Sequence, residues 1–127
     1  MKKIILALAA SSVLALANDA TISATMKLME QGLNDVQTGF IYNDKEKLNR
    51  GIQTLESSNA IFTNVNVAVF IPNNSKIQVT KNINANLTTN LTAFRKSLDS
   101  KNYAQATKDY AEVVNSCIAC HTIIRGW

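Results

Sequence analysis

Three observations predict an all-α protein, an antiparallel up-down-up-down four-helix bundle. Proline and glycine are scarce, one and four in 127 residues, too few for an all-β domain with a turn about every ten residues. Apolar side chains recur in steps of three and four along four separate stretches. Most of the joints between those stretches are short and rich in turn-forming Asn, Asp and Ser, which suits helices packed on their chain neighbours.

The chain begins with a segment to set aside. Lys2 and Lys3 precede an apolar run from Ile4 to Leu16 that closes on Ala15-Leu16-Ala17. This reads as a secretory signal peptide, residues 1–17, cleaved before Asn18. It leaves residues 18–127 as one domain exported to the periplasm. The run is shorter than the ~20 residues that span a bilayer and nothing comparable follows, so no membrane insertion is expected after cleavage. Cleavage removes two lysines and no acid, so the formal charge falls from +4 to +2. Lys45, Lys47, Arg50, Lys81, Arg95, Lys96 and Lys108 are scattered among Asn and Thr, without the one-sided basic patch of a nucleic-acid binder. Nucleic acid is not an expected partner on that patterning.

The first helix is predicted from about Thr21, with Ile22, Met26, Met29, Leu33, Val36 and Phe40 on one stripe and Asp19 or Thr21 as its cap. Tyr42-Asn43-Asp44 breaks it. A second helix follows from Lys45 to Phe62 with Leu48, Ile52, Leu55 and Phe62 inward, weakened by Gly51 at about 1 kcal/mol. Residues 63–75 lack a helical period. Their alternation of apolar and polar side chains suits a short strand, but a lone strand has no partner, so they are read as a crossover loop that tucks Val and Phe under the domain. Ser75 is predicted to cap a third helix to Leu98, carrying Val79, Ile83, Leu87, Leu91, Phe94 and Leu98. After a turn over Asp99 to Asn102, a fourth helix sets Tyr103, Ala106, Tyr110, Val113, Cys117, Cys120 and Ile124 on its inner face.

Chemistry is concentrated in that last helix. Cys117-Ile118-Ala119-Cys120-His121 is a C-x-x-C-H sequence, the attachment signature of c-type haem. Two thiols three positions apart can each add to one vinyl group of the same porphyrin, and His121 then offers an imidazole nitrogen to the iron. Cys117 and His121 lie one helical turn apart on the same side. Other readings of the same residues are a thioredoxin-like redox pair, which needs a βαβ setting, a zinc site, which needs a fourth ligand, and a plain disulfide or buried thiol pair. The export signal, the helical setting and the fact that His121 is the sole histidine favour one covalent haem c held through Cys117 and Cys120.

In an up-and-down bundle the end of the fourth helix lies at the height of the start of the first. Met26 and Met29 are both there on the inward stripe, and each can be core filling or a soft sulfur ligand. Asn86-Leu87-Thr88 and Asn90-Leu91-Thr92 match a glycosylation acceptor pattern but sit more simply as polar positions of the third helix. Phe70, Phe94, Tyr103 and Tyr110 are core aromatics by default. A second histidine, a spaced carboxylate pair and a Gly-rich phosphate loop are all lacking from the sequence, so no enzymatic turnover is expected.

A C-x-x-C-H within the last dozen residues of an exported four-helix chain resembles the class II c-type cytochromes, the cytochrome c-prime family. The likeness spans residues 18–127, from Met26-Lys27-Leu28-Met29 to His121 and Arg125. It implies that Arg125 lies near the proximal histidine, and that the distal residue over the iron is Met26. That is the pattern of the low-spin branch, with His121 and Met26 both on the iron and a one-electron carrier serving redox partner proteins as the function. The family's high-spin branch implies the alternative, a five-coordinate haem that binds nitric oxide or carbon monoxide with Met26 merely packing over the ring. A helical binding module without haem is a third reading. The chain departs from the family at Ile22, where Arg or Gln is frequent, at Ile124, where an aromatic is frequent, and in ending on Gly126-Trp127. The resemblance also allows a homodimer through the first two helices.

Overall fold

The computed structural model describes the backbone of residues 2–65 and 75–126 and the side chains of residues 20–63 and 75–126. The described residues form four α-helices and no strand: α1 (Lys2–Tyr42), α2 (Lys45–Val65), α3 (Ile77–Asp99) and α4 (Tyr103–Arg125). The crossover predicted between the second and third helices lies mostly outside the described residues, and so do the side chains of the predicted leader. Among the described residues no helix is long and apolar enough to cross a membrane.

The turns arise from residues suited to them. Asn43 adopts the left-handed conformation at φ 54°, which Asn tolerates better than most side chains. Asp44 then caps α2, its Oδ1 accepting from the Lys47 N–H at 2.9 Å. Lys101, also left-handed at φ 59°, ends the α3 turn, and the Asn102 side chain accepts from the Gln105 N–H at 3.2 Å to start α4. At the far end, Gly126 closes α4 with φ 72° and donates its N–H to the Thr122 carbonyl at 3.0 Å, a glycine C-cap.

Two predicted starts are corrected. Asp19 and Thr21 do not stand at a helix start, because α1 is already helical from Lys2; the Leu- and Ala-rich residues ahead of them are strong helix formers that carry the helix through. Ser75 is not the cap of α3 either. Lys76 holds that position with no side-chain hydrogen bond to the helix start.

The core is built from the predicted stripes. Val36, Ile52, Phe94, Ala106 and Val113 are fully buried, and Met29, Leu48, Leu55, Phe62, Leu87, Leu91 and Leu98 nearly so. Ile22, Met26, Leu33, Phe40, Tyr110 and Cys117 are partly buried against them. Val79 and Tyr103, predicted inward, are exposed. Both stand in the first turn of their helices, where the facing helix no longer covers them, and Tyr103 instead lies under Lys45, whose Nζ is 6.0 Å from the ring centroid.

Packing is strongest between α1 and α2 and between α3 and α4, with α2 touching α3. Residues late in α1 and α3 meet residues early in the helix that follows: Gly39 lies against Leu48 and Ser97 donates to Asp109. Arg95 of α3 clasps Glu56 of α2 with two hydrogen bonds of 3.1 and 2.8 Å. The first and fourth helices meet through Tyr110. Its ring packs on Phe40 and Phe94 at centroid distances of 6.0 and 5.7 Å, and its hydroxyl donates to the Leu33 carbonyl at 3.2 Å.

Candidate functional site

The C-x-x-C-H residues occupy the last two turns of α4, where the helix register sorts them by depth. Val113 is buried on the inner row that Ala106 also joins. Cys117, one turn on, is half-buried against the core, and Cys120 is half-buried beside it. His121 and Arg125 are exposed. Both cysteines are free thiols. Spacings of three and four keep Cys117, Cys120 and His121 on adjoining sides of one helix, so the two thiols and the imidazole can approach one flat group laid along that face.

Burial alters the chemistry of the sulfurs. Removal from water pushes the Cys117 thiol above its ordinary range, and the neighbouring Cys120 adds to the rise against a backbone hydrogen bond that opposes it. Burial raises Cys120 as well. Both thiols are therefore held in the protonated form, unlike the electropositive, thiolate-stabilising setting of a redox-active pair. Tyr110, one turn before Val113, has its phenol raised by burial and secondarily by Cys117. No strand is present among the described residues to supply the βαβ setting of a thioredoxin-like pair.

Met26 and Met29 separate in depth. Met29 is 7% exposed and belongs to the core, whereas Met26 is half-buried against it, on the cluster that Cys117 also touches. Among the described residues no three His, Cys, Asp or Glu side chains converge to hold a metal ion.

Two features went unread in the sequence. A groove of about 340 Å³ runs between α3 and α4, lined by Ile83, Asn86, Thr89, Asn90, Glu112, Asn115, Ser116 and Ala119. Asn90 is spent there, donating to Ser116 Oγ at 2.9 Å and to the Glu112 carbonyl at 3.2 Å, so this glycosylation-pattern residue serves packing. The second feature is Asn59. It is 4% exposed and fills the seven-residue gap in the inward row of α2 between Leu55 and Phe62. The signal was available, since Leu48, Ile52, Leu55, Asn59 and Phe62 step by four, three, four and three.

Compared with family models, curated proteins and solved structures, the chain matches none. Its functional reading rests on its own residues.

Proposed function

We propose that the chain is an exported mono-haem c-type cytochrome with an up-down-up-down bundle, acting as a one-electron carrier in the periplasm. The observation that carries the reading is the C-x-x-C-H turn of α4, with two half-buried thiols and the sole histidine, on a bundle whose opposite helix brings a half-buried Met26 to the same core cluster. The donor set fits the group. Cys117 and Cys120 would hold the porphyrin through thioether bonds, and His121 and Met26 would supply nitrogen and sulfur to the iron.

Helix register supports Met26 over Met29. The Tyr110–Leu33 hydrogen bond ties those two positions together. With α1 and α4 running in opposite senses, two turns further down α4 and two turns back along α1 put Cys117 level with Met26. Long side chains on helices lean toward the N-terminus, so His121 leans up from one turn below Cys117 while Met26 leans down to meet it. Met29 lies a turn too high and is already committed to the core.

When bound, haem supplies a ferric/ferrous couple whose potential rises with thioether ligation and with an apolar surround. The chain's part would be to hold the iron through His121 and Met26 on rigid helices, keep bulk water out with Phe40, Phe94, Tyr110 and the aliphatic core, and leave an edge within reach of a redox partner. His121 and Arg125, both exposed, mark that edge.

The reading is tested by expressing the full chain in a host competent for cytochrome maturation and recording optical spectra in both oxidation states. A haem that stays with the protein through acid extraction, six-coordinate and low-spin when oxidised and reduced, is the expected result. A high-spin ferrous form that takes up carbon monoxide at once would replace the carrier by the gas-binding alternative, and a colourless protein would leave only a helical binding module.

A further inference from the structure

Asn59 is costly where it stands. Its Nδ2 donates to Thr88 Oγ1 at 2.8 Å, while Oδ1, buried, has no hydrogen-bond partner among the described residues. Thr88 has no proton to offer it, since its own hydroxyl donates to the Asn84 carbonyl at 3.2 Å. An unsatisfied buried acceptor destabilises the fold, and a Leu at the same step of the stripe would avoid that cost. The oxygen calls for a donor that is present in the working protein.

Cross-helix contacts fix the height of this oxygen. Asn59 is beside Thr88. Asn90 is beside Ser116 and Ser97 beside Asp109, so moving back along α3 moves forward along α4. Thr88 is therefore level with Ile118, inside the turn bounded by Cys117 and Cys120. The unpartnered acceptor of α2 and the attachment turn of α4 share one layer of the bundle.

We propose that Asn59 is a positioning residue for the cofactor layer: its Oδ1 accepts a hydrogen bond from a water enclosed with the haem carried by Cys117, Cys120 and His121. The inference rests on the haem reading above. Enclosed water needs polar partners to be retained, and Asn59 is the polar member of an otherwise apolar inward row. Its effect is on the iron's redox balance. Ferric haem carries one more positive charge than ferrous, so a dipole retained in the core favours the ferric state, and its removal favours the ferrous.

The test is the midpoint potential of the full haem-loaded chain. Asn59→Leu removes the acceptor at similar volume and is expected to raise the potential by the equivalent of about tenfold in the redox equilibrium, ~59 mV for a one-electron couple, with the ligand-sensitive bands unmoved. Asn59→Asp keeps the shape, adds negative charge and is expected to lower the potential; it decides the matter if the Leu variant does not fold. Potentials equal to wild type in both variants, with stability alone altered, would reduce Asn59 to a register-setting core amide and overturn the inference while leaving the haem reading intact. A wild-type chain without covalent haem overturns the reading beneath it as well.

Discussion

Gly51 of α2 lies against the backbone of Gly32 on α1, so closely that a Cβ added at residue 51 would stand 2.8 Å from the Gly32 carbonyl oxygen and 2.8 Å from the Val36 nitrogen. From the sequence, Gly51 is a weakness of about 1 kcal/mol in helix propensity. In the folded chain it is a contact point that lets two helices approach, and beside the Val36 Cγ2 the atoms it faces are backbone, which cannot swing aside. Gly51→Ala is expected to destabilise the protein, because overpacking costs about 1–3 kcal/mol and outweighs the propensity gain. Urea denaturation at unchanged m-value measures it; a more stable Gly51→Ala would show that the helices are not pressed together here.

Met26 and Met29 should behave oppositely. Met26→Ala in the haem-loaded protein is expected to give a five-coordinate ferrous form that binds carbon monoxide, at modest cost in stability. Met29→Ala should leave the spectrum unchanged while costing about 2–5 kcal/mol, the range for deleting a buried Met side chain. Paired spectra and melting curves separate the roles.

Alkaline stability reports on the thiols. Cys117 and Cys120 hold their protons more tightly folded than unfolded, so this contribution is intact below their ordinary value of 9.0 and is lost as pH climbs through the raised folded values. The haem-free chain should thus lose melting temperature above about pH 9 more steeply than a Cys117→Ala/Cys120→Ala variant. Attachment of haem converts both sulfurs to thioethers with no proton to release, so the loaded protein is expected to follow the flatter profile.

Tyr110 ties α4 to α1 by one hydroxyl and one ring. Tyr110→Phe removes only the bond to the Leu33 carbonyl and should cost about 1 kcal/mol. Phe94→Ala, at a fully buried position against both Phe40 and Tyr110, should cost about 3–5 kcal/mol. A Tyr110→Phe loss as large as that of Phe94→Ala would mean that the hydroxyl does more than tie the helices.

Much of this architecture was legible from periodicity alone. Leu48, Ile52, Leu55 and Phe62 are buried as their spacing predicts, because a helix that must hide one stripe has to write that stripe into its sequence. The break at Asn43-Asp44 and the turn over Asp99 to Asn102 were legible for a similar reason, since their side chains answer local backbone needs. Val79 and Tyr103 misled the same reasoning: the period says which side of a helix a residue is on, not whether a neighbour reaches that far along it. Asn59 escaped because a polar residue on an apolar stripe looks like an interruption of the pattern.

Local patterning, acting over one or two helical turns, determined the four helices of this protein, their inward faces and the C-x-x-C-H turn with its three donors. The fold alone decided how those faces sit together: that Gly51 is a contact and not a flaw, that Met29 is buried in the core while Met26 and Cys117 pack against that core from partly buried positions, and that Asn59 is buried within the inward row of α2. Steps of three and four are properties of a single helix, whereas depth and height depend on which residues of other helices come alongside, and that is settled only when the helices pack.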